Sequence, residues 1–116
     1  MANKIHDLVK RLIERTDQGS LNWETSSSNG VYQASFPDLT VRVSKPDAFQ
    51  YGAANYYVLS LHNEHGEMID QITDDVLKNS GFDNAHHQME HLYTEARRKA
   101  MGVDIAIDKI LGELGD

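Results

Sequence analysis

Apolar residues change their spacing twice along the chain. Ile5, Leu8, Val9, Leu12 and Ile13 recur at i, i+3, i+4, i+7 and i+8, one stripe of an amphipathic helix over about residues 4–17. Asn3 is placed to cap it and Gly19 to stop it. From Leu21 the period becomes two. Leu21, Trp23 and Thr25 alternate with polar residues. Tyr32, Ala34 and Phe36 then share a side, as do Leu39, Val41 and Val43. Asn29-Gly30 and Pro37-Asp38 supply turn chemistry between these runs. A fourth strand is expected at about 55–63 with Tyr57, Leu59 and Leu61 inward, and a fifth at 67–73 after the Glu64-His65-Gly66 turn. Such short connections exclude parallel crossovers, so the sheet is expected to be an antiparallel meander.

Past residue 73 the helical period returns. Asp74 to Leu77 suggests a short turn stopped by Gly81. Met89, Leu92, Tyr93, Ala96 and Ala100 stripe a helix over about 84–101, which Asp83 or Asn84 can cap and Gly102 ends. Asp104 can cap a last helix with Ile107, Ile110, Leu111 and Leu114 on one face. The expected fold class is α+β: an N-terminal helix, a five-stranded antiparallel meander and two C-terminal helices packed on one sheet face. At 116 residues, 1–116 is expected to be a single domain. The last helix has more apolar surface than a free helix should show. It either folds back on the core or meets a second copy, and self-association is the preferred expectation because two-fold dimers dominate soluble oligomers.

Composition narrows the function classes. The chain holds no cysteine, which removes disulfides, thiol nucleophiles and Cys-ligated metals. The formal charge of −7 disfavours DNA binding, which relies on neutralising phosphates. No apolar run approaches the ~20 residues of a membrane span, and the first residues carry no apolar signal core. A cytoplasmic protein without membrane or DNA contacts is therefore expected. The charge is uneven: residues 60–91 are acidic with Lys78 their one lysine or arginine, whereas Arg97-Arg98-Lys99 is basic.

Candidate chemistry is sparse. No Gly-rich phosphate loop or nucleophile elbow is present, so no catalytic residue is assigned and a non-enzyme is favoured. His87 and His91, at i and i+4, could share a divalent ion, with Glu90, Asp83, His62 or His65 as further ligands. The string lacks the carboxylate of a zinc-protease motif, and no cofactor is expected. The long connection around residues 46–55 carries Phe49 and Tyr51 and runs into Tyr56. Aromatic side chains in a long loop suit a binding surface. The first functional expectation is a small acidic binding or regulatory module acting through contacts with a protein partner of unknown identity, as a homo-oligomer. The alternative is a small-molecule or nucleotide binder with an aromatic pocket from Tyr32, Phe49, Tyr51 or Tyr56 and an arginine rim from Arg42 or Arg97 and Arg98. A histidine-based metal site stands third.

Overall fold

The computed structural model describes residues 3–45 and 56–115. Helix α1 (Lys4–Asp17) leads into strands β1 (Trp23–Thr25), β2 (Val31–Phe36), β3 (Leu39–Ser44), β4 (Val58–Asn63) and β5 (Met68–Thr73). Helices α2 (Asp74–Asn79), α3 (Ala85–Ala100) and α4 (Val103–Leu114) complete the chain. All neighbouring strands are antiparallel, in the order β1-β2-β3-β4-β5. The fold is the α+β helix–meander–helix arrangement that the periodicities predict.

Local chemistry explains the boundaries. The Asn3 side chain accepts from the backbone N–H groups of Ile5 and His6, satisfying donors that α1 cannot. Phe36 pairs directly with Leu39, leaving Pro37 and Asp38 as a two-residue hairpin loop. Proline fixes the first corner and Asp38 takes φ 64° at the second. The preceding connection departs from expectation. Asn29 and Gly30 do not form a two-residue turn, because residues 26–30 all lie between β1 and β2. There Ser26 Oγ donates to the Val31 carbonyl (2.7 Å) and accepts from the Ser28 N–H (3.1 Å), replacing the ladder bonds of a tighter hairpin.

One sheet face carries Tyr32, Ala34, Val41, Val43, Leu59 and Ile72, all buried. The register explains this: Tyr32 opposes Val43, Val43 opposes Leu59 and Leu59 opposes Ile72, so one pleat face collects the apolar set. Helix α3 lies across β1, β2 and β3, α1 packs on α3, and α2 bridges α3 and β5. Val9 and Leu12 from α1, Leu77 from α2 and Met89 and Leu92 from α3 close this core.

A polar device is built into the core. Trp23 Nε1 donates to Thr16 Oγ1 (3.0 Å), and Thr16 Oγ1 donates to the Leu12 carbonyl (2.6 Å). Thr16 is completely buried and Trp23 is 3% exposed. The hydroxyl uses both its roles, so edge strand β1 is tied to α1 without an orphaned polar group.

Helix α4 differs from the other helices in having no buried residue. It touches α3 where the two join. Gly102, at φ 64°, makes the bend, and Arg98 Nη2 donates to Asp104 Oδ1 (2.8 Å) across it. Gly102 occupies the N-cap position foreseen for Asp104, and Asn84 begins α3 in a left-handed conformation without a side-chain cap bond.

Candidate functional site

The residues proposed from sequence fall in separate places. Phe49 and Tyr51 lie outside the described residues. Tyr32 is buried on the helix-covered sheet face. Arg42 stands on the opposite face, its Nε donating to Gln33 Oε1 (3.2 Å), so β3 separates it from Tyr32. Arg98 is engaged with Glu95 (3.7 Å) and Asp104. Arg97 is exposed on α3, one turn beyond Tyr93. His87 is exposed, while His91 Nε2 donates to Asp17 Oδ1 at 2.8 Å. Neither turn histidine joins them: His62 Nε2 meets Ser60 Oγ (2.9 Å) and His65 lies beside Glu64 (3.6 Å).

Tyr32 instead begins an aromatic row between sheet and α3. Its ring centroid lies 5.6 Å from that of Tyr93, which lies 5.6 Å from Tyr57, which lies 5.4 Å from His86. All three pairs are tilted, the arrangement aromatic quadrupoles prefer. Tyr93 Oη donates to the Gly30 carbonyl (3.0 Å), fixing the β1–β2 connection to α3. Burial, then the neighbouring Tyr32, pushes the Tyr93 phenol up to about 12. The folded state therefore holds this proton after the unfolded chain has lost it near pH 10. The stability from this group is intact below pH 10 and disappears between pH 10 and 12. Absorbance of phenolate should show one tyrosine titrating near pH 12 in the folded protein, with the melting temperature falling over the same window.

The row ends on Asp74, the first residue of α2, which is 3% exposed. His86 Nδ1 donates to Asp74 Oδ2 at 2.6 Å, and Asp74 Oδ1 has no hydrogen-bond partner. Tyr56, Asp75 and Lys78 surround this pair in a shallow cavity of about 170 Å³, smaller than the ~300 Å³ at which small-molecule sites begin. A larger concavity of about 350 Å³ lies between α1 and the α2–α3 turn, lined by His6, Lys10, Glu14, Phe82 and Gln88 among others. His6 Nε2 meets Ser80 Oγ there (2.8 Å), and its ring stands edge-on to Phe82 at 5.1 Å.

Among the described residues, the most exposed apolar surface is α4. Ile107 is 44% exposed, Ile110 and Leu111 each 58%, and Leu114 75%. Helical geometry sets these four, with Val103, on one face. Lys109 and Glu113 flank that stripe on one side and Asp104 and Asp108 on the other. The sequence showed this stripe, but period alone could not say whether the helix folded back. No protein-family model, curated protein or solved structure matches the chain.

Proposed function

We propose that the protein is a non-enzymatic binding module that works through protein contacts, with α4 as the contact and a second copy of the chain as its occupant. The observation that carries this reading is a helix with an uninterrupted apolar stripe and no buried residue. A buried leucine or isoleucine is worth roughly 1.5–3 kcal/mol over an exposed one, so covering four such side chains is strongly favoured.

Charge selects the arrangement. In an antiparallel pair of α4 helices related by a two-fold axis at Leu111, each flank meets its own counterpart. Lys109 of one copy then faces the region of Glu113 of the other, and the contact is made twice. Both Lys109–Glu113 contacts run along one side of the joined apolar stripes, and on the other side the two-fold axis sets Asp108 opposite Leu114 and not opposite another carboxylate. Such isologous helix pairing suits the two-fold symmetry most homo-oligomers adopt.

Light scattering on the eluting full chain tests the reading. At tens of micromolar we expect twice the 13.1 kDa chain mass. Ile107→Asp with Leu111→Asp should return a monomer with unchanged circular dichroism, because both positions are exposed in the single chain, and with a melting temperature lowered by the loss of association and independent of protein concentration. Lys109→Glu and Glu113→Lys should each weaken the dimer, and their combination should restore it. A monomeric parent chain would overturn the proposal. A small-molecule reading has in its favour the 350 Å³ concavity beside α1, a different place from the aromatic pocket with an arginine rim expected from sequence, since none of Tyr32, Tyr56, Arg42, Arg97 or Arg98 lines it. A metabolite or nucleotide that raises the melting temperature by several degrees in a thermal-shift screen would move it ahead.

A further inference from the structure

We infer that Asp17, His91 and Glu95 form a divalent transition-metal site that clasps the end of α1 to the middle of α3. Each of the three offers one ligand atom, and these atoms lie within 4.8 Å of one another. His91 and Glu95 stand at i and i+4 on α3, hence on one face and one turn apart. Asp17 arrives from a different element, the last residue of α1. The site therefore exists only in the folded chain. It differs from the His87–His91 pair suggested by spacing, because α1 supplies a carboxylate that a reading of one helix could not include.

Two electrostatic arguments point to a cation here. Asp17 sits at the C-terminal end of α1, where the helix dipole opposes a carboxylate and favours a positive charge. The carboxylates of Asp17 and Glu95 are also held close to each other, which is costly without positive charge between them. His91 partly answers this by donating to Asp17 Oδ1 at 2.8 Å. Arg98 Nε approaches Glu95 Oε2 at 3.7 Å but is shared with Asp104. A divalent ion between the three satisfies both carboxylates at once. It would take the imidazole nitrogen that now faces Asp17, with Glu95 turning from Arg98.

The donor set defines the class of ion. One imidazole and two carboxylates suit zinc, nickel, cobalt or manganese, and suit calcium and magnesium less because these prefer oxygen alone. The side chains of His91 and Asp17 are 41% and 46% exposed, so small rotations can shorten the ligand distances to those of a coordinated ion. Water would complete the shell. The site joins two helices of the fold, so its effect is on their union and not on a reaction.

Titration calorimetry of the full chain with zinc chloride at pH 7.5, after treatment with a chelator, provides the test. Nickel, manganese and magnesium serve as further arms. We expect one zinc per chain with micromolar affinity, nickel comparable, and magnesium undetectable. Asp17→Asn, His91→Ala and Glu95→Gln should each lower zinc affinity at least tenfold, whereas His87→Ala should change it by less than twofold. Zinc should also raise the melting temperature of the parent chain, as a ligand bound only by the folded state must. It should leave that of His91→Ala unchanged, with circular dichroism confirming that the variant folds. Absence of binding at 1 mM zinc would overturn the inference. So would equal binding by all variants, or loss of binding with His87→Ala while Asp17→Asn binds normally.

Discussion

Trp23→Ala is expected to remove about 3–5 kcal/mol of stability, measured by urea denaturation at fixed protein concentration. This is a large fraction of the roughly 5–15 kcal/mol that keeps such a domain folded. Trp23 is 3% exposed and belongs to a strand of three residues at the sheet edge. So short a strand has few ladder bonds, and its position depends on this one side chain. The ring fills the angle between sheet and helices, and Nε1 anchors to Thr16. Thr16→Val separates the two contributions. It keeps the volume but strands a buried indole N–H, which costs about 1–3 kcal/mol. Trp23→Phe with Thr16→Val should cost less than the sum of the single changes, because the second change removes the partner the first leaves waiting. Strict additivity would show that the bond contributes nothing.

His86→Ala is the second large effect, with an expected loss of about 2–3 kcal/mol. The imidazole supplies the hydrogen bond to Asp74 Oδ2, and Oδ1 has no partner. Without the ring, a carboxyl group 3% exposed would be left with neither oxygen bonded. The His86 side chain is itself 62% exposed, so little of the loss comes from its own burial. The penalty belongs to the group left behind. Asp74→Asn in the His86→Ala background should therefore recover part of the loss, since it removes the carboxyl group that the missing ring leaves without a partner. If the double change is as unstable as the two single changes added together, Asp74 is not the source of the penalty.

These two predictions mark where a linear reading reaches and where it stops. Alternation placed Tyr32, Ala34, Val41, Val43 and Leu59 on one face because each strand repeats every two residues and short turns force antiparallel neighbours. The stripe of α3 was legible for the same reason. Trp23 was recognisable as an inward residue, but its partner Thr16 was not: a threonine on a helix is polar in any local window and becomes core only when β1 swings against α1. Asp74 read as part of an acidic stretch, and nothing beside it in sequence announces that His86, twelve residues on, will meet it. The His87–His91 pair meets the same boundary. Spacing on one helix is visible, yet the atoms that face His91 come from α1 and from the next turn, Glu95. The arginine and tyrosine candidates were dispersed because alternation sends Arg42 and Tyr32 to opposite sides of one sheet.

Gly102 has a consequence for the reach of the molecule. It is the only residue between Met101, the C-cap of α3, and Val103, the start of α4, and a Cβ built on it meets no atom within 4 Å. The obstacle to a side chain there is torsional alone, about 1–2 kcal/mol for a left-handed residue other than glycine. Relaxing that torsion to the right-handed region would fuse Ala85–Leu114 into one continuous mast roughly 45 Å long. The joint is thus the least expensive place at which the chain can re-aim its C-terminal arm, and one methyl group at position 102 would tilt the balance from crook to spar.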